Sequence, residues 1–527
     1  MRFSIGKLTL LIAVAFLAAN IGSVKSCDEV ASDAVIHRAG LKVDWFTHSG
    51  VGARGKLVDW HLTVNEDKPT TFFVIEAGTY REKFSQNKLN AFGKPFGVDD
   101  AVDYCQIRKE VLEAELANDG KTDVEVKIDQ YTLPESTIYT MTDSGLVKSI
   151  NADTGQTNWS VRVGNGRHPS IGVGASNKYV AAINGSTVYC LEADSGKTLW
   201  TRPCRNGVSA PPAVSDEKIY VPLINGRLES FEIENKGFNS SSYVSLGLGT
   251  TRPLVTEKTV SWATNRGDFN VAGRWGGRGV GYQLRADESI VAPPVFKDDM
   301  LFVTSLDGFI YALDEGRGSL RWQVSTGRSI SQSALPLRNF VFAINDNKEL
   351  FKLDTKTGIE APGWELPRPN MERFLGASKE NLYIVDSSGQ LRVVSQNTGQ
   401  TLSRVSFGSV DKILPNTLND RLYIASKRGM ILSVRESASN IPYFHSAEYV
   451  APVMAVKAKA AIDNDPTKPE AAATDLTDPF GAKDADPFGA KPSESDDDDP
   501  FKQKSEDDDP FSQKPSGEDE DPFATGK

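Results

Sequence analysis

The sequence predicts a mainly β protein. It reads as an eight-bladed β-propeller of about 41-residue four-stranded blades, with a small N-terminal α+β domain and a disordered acidic C-terminal tail. Three observations predict it: a repeat of constant period, glycine- and asparagine-bearing turns inside each repeat, and an abrupt change of composition after about residue 455. The chain has 527 residues, 39% of them hydrophobic, enough to exclude a wholly disordered protein. Its net charge of −11 is uneven, because residues 461–527 hold 7 Lys+Arg against 20 Asp+Glu and the remainder is close to neutral. Net charge therefore gives no drive toward nucleic acid, and none is expected as a partner.

The repeat runs from about residue 137 to 425. Tyr139, Val180, Tyr220, Ser261, Phe302, Phe342, Tyr383 and Tyr423 sit mid-strand at steps of 40 or 41 residues. A hairpin turn follows each strand, as at Asn184-Gly185, Asn225-Gly226 and Asp307-Gly308, where Gly and Asn tolerate positive φ. An alternating strand comes next, then a second turn at Gly155, Gly196, Gly318, Gly358 or Gly399. Trp159, Trp200 and Trp322 each stand four residues beyond such a glycine and read as blade-to-blade packing. A short apolar strand such as Ala210 to Val214 completes four strands per unit, the blade size of a propeller. Hairpins within the unit argue against a β-solenoid. The propeller is expected to span residues 130–455, with either 449–454 or 131–134 closing the ring.

The pattern Gly-x-Leu-Tyr-Ala-Leu-Asp-x-x-Thr-Gly-x-x-x-Trp, best kept at Gly308 to Trp322, Gly145 to Trp159 and Gly185 to Trp200, resembles the pyrroloquinoline-quinone-like propeller repeats. The resemblance covers roughly residues 130–455. It implies an exported bacterial propeller protein, similar in architecture to the propeller lipoprotein of the outer-membrane β-barrel assembly machinery. The third and fourth units depart most from the pattern, at Glu234 to Phe238 and at the glycine-rich stretch from Trp275 to Gly279.

The flanks read differently. Residues 1–26 form a signal peptide: Arg2 and Lys7 precede a short apolar run from Leu8 to Ala19. Cys27 follows the cleavage site, and a lipid anchor there is the disfavoured alternative. Residues 27–129 are expected to form the α+β domain, with Trp45, Trp60, Phe72 and Phe73 in its core. Residues 456–527 are expected to be a disordered tail. It carries five Asp-Pro-Phe motifs, ending at Phe480, Phe488, Phe501, Phe511 and Phe523, which read as repeated docking peptides.

Catalytic signatures are missing. The quinone-dependent dehydrogenases of the resembling family place adjacent cysteines against the cofactor and hold a calcium ion. Here Cys27, Cys105, Cys190 and Cys204 are all separated, and Cys190 and Cys204 are expected as free thiols. The five histidines lack metal-ligand spacing. No cofactor, metal site or enzyme activity is expected, and a quinone-dependent oxidoreductase or a small-anion carrier are the alternatives. The inter-blade connections, which a propeller places on one face, contain Arg167, Arg205, Arg252, Arg285, Arg328 and Arg373. These six are the candidate binding face, unless each is structural glue between blades. The expected function is a non-catalytic, monomeric scaffold of the periplasm or cell envelope. It would bind envelope proteins through that face and the tail, with no transmembrane segment and at most peripheral membrane association.

Overall fold

A computed structural model describes residues 33–120, 124–234, 240–275, 279–406, 410–439, 441–445 and 454–455. The signal peptide, Cys27 and the tail with its five phenylalanines lie outside the described residues.

Among the described residues, eight antiparallel sheets follow one another along the chain. The second is typical: strands Ser170–Ala175, Tyr179–Asn184, Thr187–Glu192 and Thr198–Pro203 pair in sequence from the innermost outward. The expected mid-strand residues all fall in the second strand of their sheets. The sixth sheet has three strands, ending at Leu350–Asp354. Its fourth place is taken by an irregular segment bridged at Leu353–Glu360 and Leu350–Arg368. There the Lys352 ammonium is buried over the Phe340 ring at 4.1 Å and donates to the Gln396 carbonyl at 2.8 Å.

Eight hydrophobic clusters join the sheets, and each is shared by two neighbours. The cluster of Tyr139, Trp159, Val173 and Leu191 joins the first sheet to the second. Those of Cys190 with Phe231, Tyr220 with Trp262, Phe269 with Leu301 and Phe302 with Val341 continue the series. Phe342 with Phe374 and Tyr383 with Leu422 carry it to the eighth sheet. The last cluster, with Trp45, Tyr423, Trp60 and Ile138, joins the eighth sheet back to the first. The cores therefore form a closed cycle.

A repeated lock accompanies them. Trp159, in an outermost strand, donates its indole N–H to the Ala193 carbonyl at 2.7 Å. Trp200, Trp322 and Trp364 make the same bond 33 residues ahead, to Ile233, Thr355 and Asn397. Each ring except Trp200 lies on the turn glycine of the next sheet, so a Cβ at Gly196 would stand 2.6 Å from the Trp159 ring. The packing role expected for these tryptophans is thus the one observed.

The N-terminal boundary departs from the expectation of a separate domain over 27–129. Leu41–His48 is the outermost strand of the eighth sheet, paired with Met430–Glu436. Its Trp45 repeats the lock, donating to the Ala152 carbonyl at 2.9 Å and covering Gly155. Residues 57–65 are the innermost strand of the first sheet, paired with residues 135–142. The ring is therefore closed by residues 41–65, and not by 131–134. Of the other expected closing segment, residues 449–453 lie outside the described residues, and Met454–Ala455 pair with Gln130 and Asp129. Trp45, Trp60, Phe72 and Phe73 are all buried, but the two tryptophans serve the ring.

What remains of the expected α+β unit is an insertion in the first sheet. Strand Leu57–Ala77 runs on beyond the ring, returns as Val126–Thr142, and adds the edge strand Tyr80–Ser85. Helix Gly97–Asn118 covers one face of this extension through Ala101, Cys105 and Leu112, packed with Phe73, Ile75 and Phe84. Phe72 and Leu133 on the other face pack against Phe444.

The closing strand is also held by charge. Asp44 accepts from Arg435 and, at 3.2 Å, from Arg421, and Arg421 also pairs with Asp420 at 2.9 Å. Burial would raise the Asp44 pKa, but Arg421, Lys83 and Arg435 outweigh it and hold the carboxyl below its ordinary value.

Candidate functional site: the turn end of the ring

The turn between the second and third strands of each sheet and the connection to the next sheet lie together. The bonds Val163 N–H to Gly145 O, Cys204 N–H to Ser186 O, Ser245 N–H to Gly226 O, Ala286 N–H to Gly267 O and Thr326 N–H to Gly308 O repeat this pairing. Glycine is required at these turns. Gly145, for example, has φ of +79°, and a Cβ there would stand 2.2 Å from the Val163 carbonyl oxygen.

The six arginines divide into two kinds at this end. Arg252 is glue. It donates from Nη2 to Asp59 Oδ2 and to the Val173 carbonyl at 2.8 Å, and from Nε to the Pro212 carbonyl at 3.3 Å. It thus ties the inner parts of the first four sheets together. His61, half-buried beside it, is depressed to about 3 by loss of solvation and by the Arg252 charge. The other five are exposed. Arg205 pairs loosely with the buried Glu229 at 3.5 Å and donates to the Ser240 carbonyl at 2.9 Å. Arg285 stands 3.9 Å from the buried Asp268. Arg167, Arg328 and Arg373 make no side-chain ion pair among the described residues. The face is mixed in sign, since Asp287, Glu288 and Asp346 are exposed in the same turns and connections.

The sequence reading missed an apolar patch on this end. In the third sheet, Ile224 is 56% exposed, Val244 61%, Leu246 54% and Leu248 36%. The turn lies between two connections: Arg227 pairs with Val244 and a Cβ at Gly226 would meet the Ser245 and Gly247 carbonyls, while the Ile224 side chain lies against Gly207. Arg205, Arg227 and Arg266 are exposed around these connections. Val244, Leu246 and Leu248 were readable as apolar residues where a polar connection is usual, beside a unit already seen to be irregular.

A protein-family model described as "Outer membrane protein assembly factor BamB" matches residues 143–237 and 258–408. The repeats are PQQ-like, and the chain is similar to BamB. The curated protein of that name from Legionella pneumophila (strain Paris) is 24% identical over 203 residues, 37% of this chain. The match spans 46% of that relative, under half its length. Among solved structures, BamB from Moraxella catarrhalis aligns at 18% identity with a TM-score of 0.46, covering 57% of this chain and 92% of that one. The computationally designed Ika8 protein aligns at 15% identity and 0.44, covering 56% and 92%.

No two cysteines are adjacent. Among the described residues, no three His, Cys, Asp or Glu side chains converge on a metal-sized site. Cys105, Cys190 and Cys204 are free thiols. Cys190 faces Trp200 in the strand register while the Cys204 amide bonds to Ser186, too far along the strand for a bridge. No helix among the described residues is long and apolar enough to cross a membrane.

Proposed function

We propose that this protein is a non-catalytic, exported scaffold of the cell envelope, an eight-bladed propeller that docks other proteins on its turn end. The observation that carries the reading is the apolar patch of Ile224, Val244, Leu246 and Leu248 beside exposed arginines. Apolar anchors with an arginine rim are the composition of protein-binding hot spots. The similarity to an outer-membrane assembly factor supports an envelope setting. In this reading residues 1–26 direct export, residues 456–527 form an acidic tail with five docking motifs, and no cofactor is needed.

Photo-crosslinking in intact cells tests the proposal. A crosslinking residue in place of Leu246, Arg328 or Arg373 is expected to capture envelope proteins. Leu320, exposed near the opposite end of the fifth sheet, supplies the comparison. Capture from Leu320 alone, or from no position, contradicts the proposal.

A further inference from the structure

The strand ends opposite the arginines hold a second feature. Where the insertion leaves the first sheet, a cleft of about 200 Å³ opens toward the second sheet. Its first wall comes from the paired strands Leu57–Ala77 and Val126–Thr142, through Thr63, Glu135, Thr137 and Tyr139. The other wall is the pair of turns at Ser176-Asn177 and Ala193-Asp194. Lys68, on the bulge where the strand register shifts between Asn65 and Pro69, forms an ion pair with Asp194 and ties the walls together. Asn177 adds a hydrogen bond to Asp67 at 3.3 Å. The cleft is thus made by the insertion, which lies outside the two segments matched by the family model.

Its lining is polar and almost neutral. Buried Ser149 accepts from Asn158 Nδ2 at 3.2 Å, which fixes the amide. Thr63, Thr137 and Ser176 line the same space, with the Thr63 hydroxyl donating to the Thr137 carbonyl at 3.4 Å and the Ser176 oxygen accepting from the Tyr179 amide at 3.3 Å. Hydroxyls and amides both donate and accept, as sugar hydroxyls do. The charged lining residues are Lys68, Asp194 and Glu135. Lys68 pairs with Asp194 and its charge also acts on Glu135, whose carboxyl is half-buried and has no hydrogen-bonded side chain among the described residues. A carboxylate whose oxygens hold no donor accepts from two adjacent hydroxyls. It repels phosphates and acids. The volume holds one six-membered ring and little more.

We propose that this cleft binds a single neutral sugar ring, with Glu135 accepting from two neighbouring ring hydroxyls. The site is independent of the docking face.

The test is calorimetric titration of the full chain with D-glucose, N-acetyl-D-glucosamine and glucose 6-phosphate. Saturable millimolar binding of at least one neutral sugar is expected, with the phosphate at least about tenfold weaker. Glu135→Gln keeps the shape and removes the charge; it is expected to weaken the neutral sugar about tenfold and to narrow the gap to the phosphate. Thr137→Val, which deletes one hydroxyl, is expected to weaken binding too, and a melting curve checks that each variant folds. No saturable binding of either neutral sugar, equal binding of the phosphate, or affinity unchanged in both variants overturns the proposal.

Discussion

Single residues hold the sheets in register, and the tryptophan–glycine lock is the clearest case. Trp159 buries its ring on Gly196 and satisfies its N–H on the carbonyl of Ala193. Trp159→Ala removes the ring and its hydrogen bond, and unfolding measurements are expected to show a loss of about 3–5 kcal/mol. Gly196→Ala keeps every contact but forces a Cβ toward the ring at a φ of +69°. It is expected to cost about 1–3 kcal/mol. Acid sensitivity is also written at this scale. Burial depresses His61 to about 3 and His445 to about 4, so both are neutral in the fold. The unfolded chain takes up those protons near the ordinary histidine value of about 6.5. The stability is therefore fully present above pH 6.5 and is lost as pH falls from there toward 4. Asp44 adds a further loss at lower pH, as it is protonated and its pairs with Arg421 and Arg435 break. The melting temperature is expected to decline below pH 6.5, and His61→Asn to flatten that decline; a profile unchanged by the substitution would place the acid sensitivity elsewhere.

Among elements, the decisive one is the strand Leu41–His48. It supplies the fourth strand of the eighth sheet, the last tryptophan lock and the Asp44 pairs. Removing residues 1–48 is expected to leave Met430–Glu436 as an open edge. Its amides should then exchange rapidly with deuterium, while those of the fourth and fifth sheets stay protected. Unchanged protection of residues 430–436 would show that another segment closes the ring. This strand also marks where the sequence stopped being legible. The 41-residue period, the turn glycines and the tryptophan spacing revealed the repeated sheets because each unit echoes the next. Residues 41–48 have the same alternation that a strand of any small domain would have, so nothing local assigns them a partner nearly 390 residues away. Trp45 held the clue: the eighth unit has no tryptophan of its own after residue 436, and Trp45 is the missing one. Strand Leu57–Ala77 is likewise continuous across a bulge at residues 65–69, where the polar run Asn65 to Lys68 looks like a break in the sequence.

At the scale of the molecule, a closed ring gives two ends of different chemistry. One carries exposed arginines and an aliphatic patch, and the other carries the insertion and its polar cleft. That the arginines share an end was legible from their place in the repeat. Their exposure was not, because Arg252 and Arg328 occupy comparable connections and only the geometry of Asp59 and the Val173 carbonyl separates glue from surface. Docking at the turn end makes a direct forecast. Leu246→Glu with Leu248→Glu puts two charges into the patch without touching a core cluster, so the melting temperature should hold. The deciding measurement is the affinity of a crosslinked envelope partner for this double variant beside Leu320→Glu, an equally drastic change at the other end. The account predicts a loss of about tenfold or more for the double variant and none for Leu320→Glu. Equal affinity for both, or a loss confined to Leu320→Glu, would contradict it.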